Sequence, residues 1–284
     1  GLGNEAVTIS DTTSAANVSG ILSKTSGVVT ATVTSDTAAS LNSALTNTTG
    51  NDALTLTVTG TAAATDLTAL DGKTSVNVGA TAVTTITGTQ AQVVAINVGT
   101  ITTSGNYAVT LSDTSLSAAA IKTVNTQNGT GAIDISSVTT ITSSTAADVL
   151  EIVNNTNSTF TTAANYAVTL SGISSASDVN TIVNDTTGIV TATVTEATAA
   201  SLNSALANAS STDALTLTLT DTALASADDL IALDGKTSVA VNATSVTSVT
   251  DTYADINTLY GLSGISGLGN EAVTISDTTS AANV

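Results

Sequence analysis

Catalysis needs groups that shuttle protons or attack carbon, and this 284-residue sequence carries few of them. It has no His and no Cys, and its four basic residues are all lysines: Lys24, Lys73, Lys122 and Lys236. Without a histidine base, none of its many Ser and Thr hydroxyls can join a Ser-His-Asp triad. The closest pair of carboxylates is Asp228-Asp229; it reads as a solvated helix face near a helix N-terminus. Lys73 and Lys236 each sit in an Asp-Gly-Lys run, which reads as turn chemistry rather than as a buried nucleophile. A polysaccharide-cleaving site would pair carboxylates with Arg or Lys, and Arg is missing. Zinc lacks its usual ligands. Calcium is the one cation the composition suits, through Asp, Asn and backbone carbonyls at turns. The nearest such clusters, Gly50-Asn51-Asp52 and Asp221, read as hairpin or cap residues, and the Gly-Gly-x-Gly-x-Asp run of calcium-binding β-rolls is absent. The Gly-rich stretch from Gly261 to Gly269 lacks a Lys and reads as a linker turn, not a phosphate loop. The sequence therefore assigns no catalytic, cofactor-binding or metal-ligating residue, and an enzyme is not expected.

One surface remains that could recognise something. Thr30, Thr32 and Thr34 interleave with Ala31 and Val33. Thr55, Thr57 and Thr59 interleave with Leu54, Leu56 and Val58. The pattern returns as Thr191, Thr193 and Thr195, and again as Thr216, Thr218 and Thr220 among leucines. Strict alternation of β-branched with apolar residues predicts half-buried strands, aliphatic inside and threonine outside. Outward Thr rows on a flat parallel sheet are the surface of ice-binding β-solenoids. They are also what good strand formers with soluble side chains produce, and they could serve lateral packing of rods.

The elements that hold these rows repeat. GLGNEAVTISDTTSAANV, residues 1–18, recurs letter for letter at 267–284. This predicts one super-repeat over 1–266 and the start of the next at 267–284. Inside it, TATVTSDTAASLNSALTNTTGNDALTLTVT from Thr30 returns in diverged form from Thr191, and LDGKTSV occurs from Leu70 and from Leu233. A smaller unit recurs as Thr/Ser, Asp or Gly, Thr, for example Ser35-Asp36-Thr37 and Thr250-Asp251-Thr252. After each junction the period turns helical. TAASLNSALTNT (37–48) places Leu41, Ala44 and Leu45 on one face, and STAADVLEIVNNT (144–156) so places Val149, Leu150 and Val153. The Asp and Thr ahead can cap the helix start. Strand, helix, strand in repetition predicts an α/β protein with parallel strands and crossover helices. The expected architecture is a right-handed parallel β/α solenoid of roughly 27-residue coils, ten to the super-repeat. Extra apolar runs before Val83, Val138 and Val246, with apolar residues three apart, predict corners and a second, narrow sheet.

Charge narrows the partners. The formal net charge is −18 and the sequence pI about 4.1, which disfavours nucleic acid. Aromatic residues make up 2%, too few for one thick core but compatible with a thin aliphatic core laid down layer by layer. No apolar run is long enough for a membrane helix. The opening Gly1-Leu2-Gly3-Asn4-Glu5 does not read as a signal peptide, and the chain is expected to be cut from a longer one.

The phrases GISGLGNEAVTISDTTSAANV, YAVTLSGISSASDVNTIV and ALDGKTSVAVNATSVTSVT resemble the very large secreted beta-strand-repeat surface proteins of marine cyanobacteria and other aquatic bacteria. The resemblance covers essentially the whole chain. It implies an extracellular or cell-surface location, a structural role as surface layer, filament or adhesin, self-association end to end and laterally, and no cofactor.

Overall fold

The computed structural model describes residues 1–96 and 99–278, in two compact units. The first comprises 1–138 and 155–162, the second 139–154 and 163–284. The last six residues of the repeated segment, 279–284, lie outside the described residues.

Strands and short helices alternate along both units. The first unit carries α1 (Ala15–Leu22), α2 (Ala38–Ala44), α3 (Ala64–Asp71), α4 (Gln90–Ala95) and α5 (Ala118–Gln127). The second carries α6 (Ala146–Val153), α7 (Ala176–Asp185), α8 (Ala199–Ala205), α9 (Ala227–Asp234) and α10 (Tyr253–Leu259). Ten helices lie among the described residues. Within each unit every helix packs on the next in sequence.

The helices start where a Ser or Thr side chain can accept a backbone N–H. Eight of the ten have such a cap: Ser14, Thr37, Thr89, Ser117, Thr145, Ser175, Thr198 and Thr252. Three of these are the junction threonines themselves. After Thr12 the chain runs two residues further, to Ser14, before turning helical. After Thr61 the strand continues to Ala63, which caps with no side-chain bond. The buried face of α6 is carried by Val149 and Ile152; Leu150 and Val153 are only half-buried. A one-residue rotation of the apolar stripe separates this from the expected face.

Every strand pairing described is parallel, as the alternation predicts. In the first unit Val7–Thr8, Val29–Thr32 and Ala53–Thr55 form one sheet. Thr57–Ala63, Val78–Gly88, Ala108–Leu111, Ile133–Ile135 and Phe160–Thr162 lie side by side in another. In the second unit Thr140–Ser144, Ala167–Ser174, Val190–Val194 and Ala214–Thr216 are neighbours. Leu224–Ser226, Ser248–Asp251 and Ala272–Ile275 form a further sheet. In-register pairing stacks like on like. Ile86 lies beside Val109, which lies beside Ile133, all at most 1% exposed. Each fully buried aliphatic side chain contributes about 2 kcal/mol.

The expected corners are present. Val78, Ala80, Val83 and Ile86 are all buried along the single strand Val78–Gly88. That strand pairs with Ile101–Thr103 through its first half and with Ala108–Leu111 through its second. The strand beside it bulges at Gly60, whose φ of 76° suits glycine. At the later corners the Val138 N–H donates to Ile135 O at 2.9 Å and the Val246 N–H to Ala243 O at 3.0 Å, closing tight turns. The narrow second sheet appears in the second unit, where Val241–Asn242 pairs with Ile265–Ser266. The Gly261–Gly269 stretch is thus more than a linker turn: its centre is a strand.

Candidate functional site

The threonine rows sit where alternation placed them. Thr30, Thr32, Thr34, Thr55, Thr57, Thr191, Thr193, Thr195, Thr216 and Thr220 are exposed, while Thr59 and Thr218 are half-buried. Between them Val29, Ala31, Val33, Leu54, Leu56, Val58, Leu215, Leu217 and Leu219 point into the core, none more than 3% exposed. Register brings some threonines together across strands: Thr8 beside Thr30, Thr32 beside Thr55, Thr169 beside Thr191 and Thr193 beside Thr216. The rows are short. Thr30 meets Ala53, Thr191 meets Ala214, and Thr57 meets Gly79. The Thr195 hydroxyl is tied to Ser174 O at 3.1 Å.

Several charged residues that read as turn or cap residues also bond between neighbouring repeats. Asp52 is 1% exposed. Its Oδ1 accepts the Val29 N–H of the preceding strand at 2.9 Å, and its Oδ2 accepts the Thr49 N–H at 2.8 Å and hydroxyl at 3.1 Å. Asp213 repeats this with Val190 and Ser210. Both carboxylates are thereby committed to protein donors. Lys73 Nζ donates to Leu45 O, the C-cap of α2, and Lys236 Nζ to Leu206 O, the C-cap of α8, at 2.9 Å. Each lysine thus adds a charged donor to a carbonyl at a helix C-terminus, beside the Thr48 hydroxyl at Leu45 and the Ala209 N–H at Leu206. The N-termini receive the complementary group. Asp113 accepts the Gln90 N–H of α4, Asp221 the Ala199 N–H of α8, and Asp277 the Tyr253 N–H of α10, at 2.7 to 2.9 Å. These three helices are capped at N1 by the aspartate that opens the next repeat.

Two Thr-x-Gly runs add a backbone latch. Thr186 Oγ1 donates to Tyr166 O at 2.6 Å and accepts the Gly188 N–H at 3.0 Å. A Cβ on Gly188 would lie 2.3 Å from Tyr166 O, so only glycine fits. Thr25 and Gly27 do the same against Glu5.

The acidic groups nearest to a chemical constellation are Asp228, Asp251 and Asp255, with ligand oxygens within 4.8 Å of one another. Sequence reasoning paired Asp228 with Asp229. In space Asp229 accepts Asn203 Nδ2 at 2.8 Å instead, because the two successive residues of α9 point apart. Asp251 comes from the next strand, a juxtaposition that no local spacing announces. It also accepts Ser226 Oγ at 2.9 Å, the Asp228 N–H at 3.2 Å and the Thr252 N–H at 3.1 Å. Partial burial pushes its pKa up, but these donors outweigh it and hold the carboxyl below the usual range. Asp228 is exposed, and the charges of Asp251 and then Asp255 push it above that range. Three carboxylates are a hard-cation donor set, but Asp251 and Asp255 already accept protein hydrogen bonds.

A raised folded-state pKa stabilises below the unfolded value and loses that contribution as pH rises through the folded one. Asp228→Asn is therefore expected to melt slightly higher than the parent at about pH 7 and equally at about pH 3, as thermal denaturation at the two pH values would show.

A cleft of about 410 Å³ in the second unit is lined by Asp185, Thr186, Gly188, Asn208, Ser210 and Asp213, among others. Its carboxylates are occupied, Asp213 as above and Asp185 by the Tyr166 hydroxyl at 2.6 Å. Burial, and then this bond, hold the Tyr166 phenol far above its ordinary pKa. No described helix is long and apolar enough to cross a membrane. Comparison with protein-family models, with curated proteins and with solved structures finds no match.

Proposed function

We propose that this chain is a structural repeat protein of the cell surface or extracellular matrix, a right-handed β/α solenoid whose repeats stack end to end into a stiff rod, filament or coat. One observation supports this most: each repeat is completed by the next. Helix ends take their caps from the following repeat, through Asp113, Asp221 and Asp277 at N-termini and through Lys73 and Lys236 at C-termini. Strand N–H groups take theirs from Asp52 and Asp213. Such nearest-neighbour stability is the energetics of a quasi-one-dimensional array. The surface location rests on the resemblance of its repeat phrases to the beta-strand-repeat surface proteins. A charge of −18 keeps rods apart at low ionic strength, and salt or divalent ions bring them together. Electron microscopy of the protein at low and high salt is the test. Slender particles that bundle as salt rises support the reading; isotropic globules at every salt concentration overturn it.

The exposed threonines favour a second reading, a binding module for ice or polysaccharide. Thr55→Lys and Thr216→Lys would abolish inhibition of ice recrystallisation under that reading. Under the structural reading they change bundling and leave ice growth untouched.

A further inference from the structure

Helix α7 ends unlike the other described helices. At those nine, the C-cap residue sends its backbone N–H back to a helical carbonyl. The C-cap of α7, Thr186, is extended (φ −129°, ψ 148°) and sends none. Its hydroxyl is committed to Tyr166 O and the Gly188 N–H. The last carbonyls of a helix point out of its C-terminal end, where donors or a cation satisfy them. At α2 and α8 the chain brings a cation of its own, Lys73 and Lys236.

The cleft of about 410 Å³ adjoins the end of α7. Asn184, Asp185 and Thr186 line it from this repeat, and Asn208, Ser210 and Asp213 from the next. Its lining holds two aspartates and no lysine. Asp185 is exposed, and the Tyr166 hydroxyl bonds its Oδ2. Its Oδ1 accepts no donor among the described residues. Asp213 gives both oxygens to protein donors and adds its negative charge to the cleft.

The diverged first copy shows the alternative. There Lys24 stands at the place of Asp185, and Ser23 at that of Asn184. Helix α1 stops at Leu22, and the Ser23 N–H bonds back to Ile21 O and Ser19 O. Where the helix end closes on itself a lysine follows; where it stays open an aspartate faces the cleft.

We propose that the cleft at the C-terminal end of α7 is a calcium site, with Asp185 Oδ1 as its charged ligand and carbonyl oxygens from the end of α7, with water, completing the shell. An oxygen-only set of one carboxylate and neutral groups suits a hard cation. Calcium accepts roughly six to eight oxygens in a flexible shell, whereas magnesium holds a strict octahedron and keeps its waters. The site lies within one chain, so it stands or falls apart from the end-to-end reading.

Terbium, a luminescent stand-in for calcium, tests this on the full chain. The Tyr166 phenol bonds Asp185 directly, so terbium in the cleft is excited through that ring. Emission under tyrosine excitation is expected, displaced by calcium with a Kd of roughly 1 mM and far less by magnesium. Asp185→Asn keeps an acceptor for the phenol but removes the charge, and is expected to weaken calcium binding by about tenfold or more. Tyr166→Phe should abolish the emission while calorimetry still finds calcium bound. Asp228→Asn, at the separate acidic group, should change neither. Binding that survives Asp185→Asn, emission that survives Tyr166→Phe, or loss of either with Asp228→Asn would overturn the site. So would the absence of saturable binding at millimolar calcium.

Discussion

Asp52→Ala is expected to destabilise the first unit by about 3 kcal/mol. The carboxylate is 1% exposed and accepts from the Val29 N–H, the Thr49 N–H and the Thr49 hydroxyl. Alanine leaves the buried Val29 N–H without an acceptor, worth about 1–3 kcal/mol, and removes the acceptor of the more exposed Thr49 N–H and hydroxyl as well. Asp52→Asn keeps one acceptor oxygen and turns an NH₂ toward the remaining donor, so about half the loss is expected. Asp213→Ala should cost the second unit as much, since Asp213 makes the same bonds to Val190 and Ser210. The sites lie in separate units, so the double variant should show the two losses independently. Urea denaturation, with hydrogen exchange to locate the loss, checks this. A fall below about 0.5 kcal/mol for each single variant would show that the cross-repeat acceptor is dispensable.

The larger effect should come from the layer beneath the threonines. Val190→Asp places a carboxylate at a position with no exposed surface, in register with Val168 and one hydrogen bond away from the buried Asp213. A buried unpaired charge costs more than about 4 kcal/mol. The second unit is expected to lose cooperative unfolding at room temperature. Thr191→Asp, one residue along the same strand, faces out and should change stability by no more than about 0.5 kcal/mol. Circular dichroism melts of the two variants give the comparison. Equal melts would mean that the strand does not divide into a buried and a solvated face.

Much of this protein is written locally. Alternation of Thr with Val, Leu and Ala fixes which side of each strand is buried, because successive side chains leave a strand on opposite faces. Ser and Thr before Ala-rich runs mark most helix starts, because a hydroxyl there replaces a lost backbone acceptor. The parallel direction follows from the crossover helices. Ten of the twelve threonines singled out by spacing are exposed, and Thr59 and Thr218 are half-buried. What spacing could not supply is the lateral partner. Whether Lys73 reaches Leu45, whether Asp221 meets the first N–H of α8, and whether Asp228 faces Asp251 rather than its neighbour Asp229 depend on how one repeat is laid against the next. Repeat lengths, bulges and corners set that offset, and each varies along the chain. The alphabet of caps is therefore legible in the sequence, while the identity of the helix that each cap serves is decided only when the repeats are stacked.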